Sequence, residues 1–305
     1  MQTTNKVLMV RPAAFYANPQ TLQTNSFQKY YEHTTDYTFQ AQLAFDKYVV
    51  ALREVGVDVI VIEDSLINET PDSIFPNNWF STTADSTIFT YPMEALNRRR
   101  ERRPEIVSRI CKEFFVNKHI DLSPFEQQGF FFEGTGVMIL DHDYKKAFIC
   151  RSTRSAEVVG REYAKLSGYE LFWFSATDRF GKAIYHTNVM MSIGTRFAIV
   201  CLDAIHDQTE RKQLIALLEQ CGKTIIAVSH EQMESFACNI LELKNVSQKP
   251  VYAMSTRAWN SFNPEQKKMI TDYASLVLAP IDVIEDLGGG GARCMLAEIF
   301  LAPRE

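Results

Sequence analysis

The chain has 305 residues, 46% of them hydrophobic, and a formal net charge of −5. Its length allows one large core or two ordinary ones, and the acidic balance argues against a nucleic-acid-binding protein. No segment approaches the roughly 20 uninterrupted apolar residues that cross a bilayer, and the N-terminus lacks the apolar core of a signal peptide, so we expect a cytoplasmic protein. The six cysteines stand singly, and their spacing predicts neither a disulfide framework nor a metal site.

One order of secondary-structure elements recurs along the chain. Residues 6–10 form a predicted strand, followed by a helix over 38–54 and a strand over 57–62. After these, a hairpin, a helix and a strand follow one another four times: hairpins over 74–92, 134–151, 186–202 and 239–254; helices over 99–116, 155–166, 208–220 and 264–273; strands over 119–122, 169–174, 224–228 and 275–278.

These elements group into five units of about 55 residues. The fifth unit begins at Cys294 and lacks a second strand, which residues 6–10 would supply from the other end of the chain. Repeats of this length are typical of arrays and propellers, and a closed ring leaves no exposed strand edges. The sequence therefore predicts a single domain over residues 1–305, closed by joining its two ends.

Five polar residues stand near the start of successive units. They are Asn78, Glu133, His186, Asn239 and Cys294, at intervals of 55, 53, 53 and 55 residues. Equivalent positions of a ring converge on its axis. We therefore expect a thiol, an imidazole, a carboxylate and amides to meet in one central site.

This set of residues predicts nucleophilic catalysis. Cys294 follows the glycine run 288–291, and glycine lets a substrate approach bare backbone beside the sulfur. The thiolate is the reactive form of cysteine, and a neighbouring imidazolium stabilises it. His186 is the expected imidazolium, able afterwards to protonate a departing amine, and Glu133 is expected to orient it.

Four segments carry a family resemblance. Residues 75–79 (Phe-Pro-Asn-Asn-Trp), 133–136 (Glu-Gly-Thr-Gly), 186–188 (His-Thr-Asn) and 289–294 (Gly-Gly-Gly-Ala-Arg-Cys) resemble the signatures of the guanidine-modifying, or pentein, superfamily. The chain most resembles the citrulline utilisation hydrolases. The resemblance implies an α/β fold, a five-bladed α/β propeller of pseudo-fivefold ββαβ units, and no cofactor or metal. It also implies catalysis by Cys294, His186 and Glu133 at the planar carbon of a guanidino or ureido group.

Three positions differ from better-known members of that superfamily, the arginine deiminases and dimethylarginine hydrolases. Asn78 stands where both groups carry an aspartate, Asn188 stands where the arginine deiminases carry one, and Gly136 stands where a Glu-Gly-Gly-Asp segment ends in a carboxylate. A buried carboxylate facing a neutral group is an uncompensated charge that costs several kcal/mol, whereas an amide offers both a donor and an acceptor. We therefore expect Asn78 and Asn188 to bind a neutral ureido substrate, and citrulline to be hydrolysed to ornithine, ammonia and carbon dioxide.

Arginines are expected to hold the amino-acid end of that substrate, because the planar guanidinium binds both oxygens of a carboxylate. By resemblance to the dimethylarginine hydrolases, Arg98 and Arg154 are the candidates, with Arg99 or Arg151 as alternatives for either role. The polar loop 11–24 is a candidate lid, from which Asn18 or the nearby Asn25 could reach the substrate. The basic run 98–103 lacks the interleaved aromatics of a nucleic-acid site.

Other functions stay open at this point. An arginine deiminase or dihydrolase and an amidinotransferase would use the same residues. A non-catalytic pentein binding module would need neither Cys294 nor His186. The expected partner is a small-molecule amino acid, with no nucleic acid and no membrane, and a homo-oligomer stays possible.

Overall fold

The computed structural model describes residues 1–29 and 36–304 and contains five three-stranded sheets. In each sheet the first two strands of a unit pair antiparallel, and the second and third pair parallel. The order of elements within each unit is thus the predicted ββαβ order. The fold is a mixed α/β fold built from a small repeated sheet.

The strands are β1 (Lys6–Arg11), β2 (Asp58–Glu63), β3 (Phe80–Thr83), β4 (Thr87–Thr90), β5 (Lys118–Asp121), β6 (Met138–Asp141), β7 (Lys146–Cys150), β8 (Glu170–Phe174), β9 (Met191–Ile193), β10 (Phe197–Val200), β11 (Thr224–Ala227), β12 (Leu241–Lys244), β13 (Pro250–Ser255), β14 (Ser275–Ala279) and β15 (Ala297–Glu298). The α-helices are α1 (Thr38–Glu54), α2 (Pro104–Glu113), α3 (Gly134–Val137), α4 (Glu157–Ser167), α5 (Gln208–Gln220), α6 (His230–Glu234), α7 (Thr256–Ser261), α8 (Pro264–Thr271) and α9 (Asp282–Gly288).

The two ends of the chain meet in one sheet, as predicted. Strand β15 pairs antiparallel with β1, with Val7 opposite Glu298 and Leu8 opposite Ala297. Strand β2 continues that sheet in parallel on the other side of β1. The unit that carries Cys294 is therefore completed by the N-terminal strand.

The helices begin where local chemistry lets them begin. The carboxylate of Asp207 accepts hydrogen bonds from the backbone of Thr209 and Glu210 and so caps α5. Helix α2 is shorter than the predicted helix 99–116. A 3₁₀ turn occupies Arg98–Glu101, and the chain is extended at Arg103 because Pro104 disfavours a helical residue before it.

Hydrophobic side chains from the sheets pack against the helices. Helix α1, for example, buries Phe45 and Tyr48 against Val7 and Met9 of β1. No helix within residues 1–29 and 36–304 has the length and apolar character needed to cross a membrane. The same residues contain no group of three or more His, Cys, Asp or Glu side chains that could hold a metal ion.

Candidate active site

The five polar residues of the repeat lie at equivalent places in the fold. Asn78 and Cys294 belong to 3₁₀ turns before β3 and β15, and Asn239 precedes β12. Glu133 and His186 each precede a short helical turn that leads into the first strand of a unit. All five are buried, with at most 3% of their surface exposed.

Two amides surround the sulfur of Cys294. The side-chain nitrogens of Asn188 and Asn239 each lie 3.2 Å from Sγ, in position to donate hydrogen bonds to it. Burial raises the pKa of the Cys294 thiol above its ordinary value, although both amides act in the opposite direction. The resting residue is therefore a thiol at neutral pH, and donors are already in place for the thiolate.

His186 and Glu133 form a buried pair. The imidazole Nε2 lies 2.7 Å from Oε2 of Glu133, and the other carboxylate oxygen accepts a hydrogen bond from the backbone of Glu94 at 3.0 Å. Burial alone would raise the pKa of Glu133, but Arg154 and His186 outweigh it and hold that pKa below its usual range. Glu133 is thus ionised, which assigns the proton of His186 to Nε2 and leaves Nδ1 as an acceptor.

The imidazolium expected from the sequence is not the resting state. Burial lowers the pKa of His186 to about 4, although the hydrogen bond and charge of Glu133 act to raise it. The positive charges of Arg154 and Arg98 add to the lowering. At neutral pH the site therefore contains a neutral imidazole opposite a neutral thiol.

A small cavity lies over the sulfur, with room for about one water molecule. Its lining includes the predicted residues Asn78, Arg98, Arg154, His186 and Cys294. The remaining lining residues are Thr21, Asn25, Asp72, Phe75, Tyr185, Gly288 and Gly290. The structure thus brings nucleophile, imidazole, amide and both arginines to one place, with Glu133 fully buried behind His186.

The orientation of the Asn78 amide is set by its neighbour. Arg98 Nη1 donates to Asn78 Oδ1 at 2.9 Å, and because arginine has only donors, the oxygen must face it. The nitrogen Nδ2 has no hydrogen-bond partner among the residues that the structure describes. Asn78 is therefore left with a free donor.

Gly136 is required by this arrangement. A Cβ atom at this position would overlap Nδ2 of Asn78 and lie 2.9 Å from Nδ1 of His186. A carboxylate side chain at residue 136 would not fit without moving one of these two groups.

The two predicted carboxylate-binding arginines are engaged differently. Both Nε and Nη2 of Arg98 bind Glu101, at 2.9 and 3.0 Å, so one acid occupies its fork. Arg154 spreads its contacts over Glu94 at 3.2 Å, Glu133 at 3.4 Å and the hydroxyl of Thr24. Arg154 is consequently better placed than Arg98 to exchange a partner for a substrate carboxylate.

The alternative arginines Arg99 and Arg151 lie outside the cavity, and each arginine of the basic run has an acidic partner within the protein. Arg151 pairs with Glu157 and Glu210 on the surface. Arg99 and Arg102 share one carboxylate, that of Glu126. The other arginines of the run pair with Glu101 (Arg98), Glu69 (Arg100) and Asp64 and Glu105 (Arg103).

Sequence reasoning missed two residues of the cavity. Asp72 is buried, with Oδ2 accepting a hydrogen bond from Asn18 at 2.7 Å and Oδ1 without a partner in residues 1–29 and 36–304. The cavity therefore contains one carboxylate, that of Asp72, although the three positions 78, 136 and 188 carry none. No motif singles out Asp72, whereas Tyr185 directly precedes His186 and could have been found there.

The predicted lid loop 11–24 contributes Thr21 to the lining of the cavity, and Asn25 follows directly after that loop. Asn25 lines the cavity and donates to the carbonyl of Gly288 at 3.2 Å. Gly289 has a φ of +64°, and a Cβ there would overlap the Asn25 amide, so glycine is needed for this approach. Asn18 reaches Asp72 rather than the sulfur.

The fold is shared with enzymes of arginine metabolism. The arginine dihydrolase ArgZ, from the ornithine–ammonia cycle of cyanobacteria, matches with a TM-score of 0.75 and 16% identity over 96% of this chain and 40% of ArgZ. Its substrate-bound N-terminal domain matches over 97% of that domain, at the same TM-score and identity. The chain therefore spans about 40% of full-length ArgZ.

A dimethylarginine dimethylaminohydrolase, solved as an adduct with S-methyl-L-thiocitrulline, has a TM-score of 0.66 and 14% identity over 98% of this chain and 100% of that enzyme. At these identities the likeness establishes the fold alone. No curated protein matches the sequence. The family described as N,N dimethylarginine dimethylhydrolase, eukaryotic, matches residues 11–301. With nearly its whole length matched, this chain belongs to that family and, through it, to the guanidine-modifying superfamily.

Proposed function

We propose that the protein is a cysteine-dependent hydrolase that converts citrulline to ornithine, ammonia and carbon dioxide. The observation that carries this proposal is the orientation of Asn78. Arg98 occupies its oxygen, so the amide presents a donor next to His186. A ureido carbonyl can accept that hydrogen bond, whereas a guanidinium has donors alone and cannot.

The far end of the cavity supports an α-amino acid as substrate. The unpartnered oxygen of Asp72 suits an ammonium group, and Arg154 suits a carboxylate. Asp72 lies beside Arg98, with 3.7 Å between Oδ2 and Nε. We assign Arg98 chiefly to orienting Asn78 and Asp72, and Arg154 to the substrate carboxylate.

The proposed reaction begins from the neutral pair. Nδ1 of His186 takes the thiol proton of Cys294 as Sγ attacks the ureido carbon, and Glu133 stabilises the resulting imidazolium. Asn188 and Asn239 stabilise the sulfur before attack. The imidazolium then returns its proton to the departing nitrogen, which releases ornithine and leaves an S-carbamoyl cysteine.

Hydrolysis completes the cycle. Neutral His186 removes a proton from water, the hydroxide attacks the S-carbamoyl carbon, and the C–S bond breaks. Carbamate leaves and decomposes to ammonia and carbon dioxide, while Cys294 regains its proton. One water is consumed, and no electron acceptor is needed.

The main alternative is an arginine deiminase or dihydrolase. The matched family and the fold shared with ArgZ support it. If arginine were hydrolysed to ornithine in two steps through citrulline, the free donor of Asn78 would serve the second step. Amidino transfer is a further alternative. A purely non-catalytic module is disfavoured because Cys294, His186 and Glu133 meet at one site.

We also propose that the five sheets are blades of one closed five-bladed propeller, so that residues 1–305 form a single domain. Contacts between first strands support this arrangement: β15 contacts β3, β6 contacts β9, and β9 contacts β12. Two further contacts support it: α3, which leads into β6, contacts β3, and the backbone N–H of Lys244 at the end of β12 donates to the carbonyl of Thr4, just before β1, at 3.0 Å.

A substrate panel tests the function. The purified protein is incubated with citrulline, arginine, N,N-dimethylarginine and agmatine, and ornithine, citrulline and ammonia are quantified. We expect ornithine and ammonia from citrulline, abolition of turnover in Cys294→Ser, and protection of Cys294 from iodoacetamide by citrulline. Faster turnover of arginine than of citrulline would overturn the assignment in favour of the dihydrolase.

A further inference from the structure

We infer that Tyr185 is a positioning residue. It connects Arg154, which we assign to the substrate carboxylate, to the glycine loop 288–291 that precedes Cys294. The inference rests on the proposed function. Tyr185 is 5% exposed and lines the cavity above Cys294. It belongs to the unit of His186, yet it contacts residues of two other units.

The hydroxyl of Tyr185 reaches the nucleophile loop. It donates to the carbonyl of Gly289 at 2.6 Å. Gly289 follows the end of α9, has the left-handed φ of +64°, and lies five residues before Cys294. A loop of four glycines has few side-chain contacts of its own, so this hydrogen bond is one of the constraints on where the turn carrying Cys294 begins.

The ring of Tyr185 covers the guanidinium of Arg154. The central carbon of Arg154 lies 5.0 Å from the ring centroid, within the range of a cation–π contact. The in-plane partners of Arg154 are the carboxylates of Glu94 and Glu133 and the hydroxyl of Thr24. The ring of Tyr185 therefore contacts the face of the Arg154 guanidinium that these partners leave open, and it holds the guanidinium plane in position.

The same ring also contacts the catalytic imidazole. The ring centroids of Tyr185 and His186 are 4.6 Å apart, and the ring centroid of Phe27 lies 6.2 Å from that of Tyr185 in an edge-on contact. Tyr185 thus contacts Arg154, the imidazole of His186, Phe27 and the glycine loop. A substrate whose carboxylate engages Arg154 would hold the position of the loop through Tyr185.

Two substitutions separate the two halves of this role. Tyr185→Phe removes the hydroxyl and keeps the ring, and we expect kcat to fall about tenfold on every substrate, the usual effect of losing one buried hydrogen bond. Tyr185→Leu also removes the ring, and we expect the preference for substrates with a carboxylate to fall about tenfold further. Tyr48→Phe is the matched control, since that buried hydroxyl has no partner in the described part of the chain.

The assay compares substrates that differ by the α-carboxylate alone: citrulline with N-carbamoylputrescine, and arginine with agmatine. The readout is the ratio of kcat/KM within each pair. If Tyr185 acts through Arg154, the double variant R154K/Y185L has the same ratio as R154K, because effects on one interaction are not additive. If Y185L lowered both members of a pair equally and left the ratio of kcat/KM at the wild-type value, the effect of the ring would be purely structural and the inference would be overturned.

Hydrogen exchange separates this inference from the proposed function. We expect backbone exchange over residues 288–294 to accelerate about tenfold in Y185F and to stay at the wild-type rate in Y48F. If the wild type turns over none of the four substrates, the proposed function is wrong, and exchange alone decides the role of the hydroxyl. Unchanged exchange in Y185F would overturn the inference whatever the activity.

Discussion

Replacing Asn78 by aspartate is the sharpest test of the substrate assignment. The change keeps the shape of the side chain and its acceptor for Arg98, which binds it at 2.9 Å. It converts the free donor of the amide into a second acceptor. The ureido oxygen of citrulline needs a hydrogen-bond donor, and in the variant it would face an acceptor instead. The guanidinium of arginine would face a carboxylate, to which it can donate.

The magnitude follows from what each substrate loses or gains. For citrulline, an unpaired buried polar group costs about 1–3 kcal/mol, which corresponds to a fall of about 100-fold in kcat/KM. For arginine, a hydrogen bond to a charged group contributes about 1.5–3 kcal/mol. The ratio of arginine to citrulline turnover should therefore rise by about 10³-fold, of which about 100-fold comes from the loss on citrulline and about tenfold from the gain on arginine.

The assay measures ornithine formed from each substrate over a concentration series at neutral pH. Asn78→Ser is the control, because its hydroxyl keeps a donor and adds no charge. We expect Asn78→Ser to lose about tenfold on citrulline without gaining on arginine. An Asn78→Asp protein that folds normally but loses both activities equally would refute the reasoning, because the amide orientation would then play no part in selection.

Three further predictions test the geometry. The pKa of His186 falls from 6.5 to about 4 on folding, so the unfolded state binds more protons between those pH values. The stability of the wild type relative to His186→Asn, measured by urea unfolding, should therefore fall by about 3 kcal/mol as the pH drops from 7 to 4. A difference in stability that does not depend on pH would contradict this. Gly136→Ala should lower kcat at least 100-fold, because the added methyl group displaces the imidazole of His186. Gly168→Ala is the control: its methyl group would meet no described atom within 4 Å, at a φ of +76°. We expect that control to cost about 1 kcal/mol of stability and to leave kcat unchanged. Arg154→Lys should raise KM for citrulline about tenfold, because lysine lacks the planar fork. Arg98→Lys should chiefly lower stability, because it weakens the two-pronged contact with buried Glu101. An equal rise in KM in both variants would argue against their separate roles.

Much of the architecture was predictable because local periodicity carries it. The alternation of strand and helix spacing placed α1 and α5 at their observed bounds. The count of units required the N-terminal strand to complete the last sheet, and β1 does so beside β15. The register of Asn78, Glu133, His186, Asn239 and Cys294 followed from the same count, because an equal number of residues separates equivalent places in a repeat.

The electrostatic state of the site was not predictable in this way. The sequence indicated an imidazolium beside a thiolate, yet burial leaves His186 neutral and Cys294 protonated. Arg98 looked like a clamp for the substrate, but Glu101, three residues later, occupies its fork. Burial raises the pKa of Glu101 to about 8 even with Arg98 lowering it, a balance that depends on desolvation and on distances across several units.

Sequence alone determined the repeat, the closure of the last sheet and the identity of the residues that converge. Tertiary structure decided which atoms of those residues are free to act. The donor of Asn78, the open oxygen of Asp72 and the contacts of Tyr185 arise where separate units meet. Hydrogen-bond partners and the exclusion of solvent depend on how the units pack against one another. A pattern along a single stretch of sequence does not contain that information.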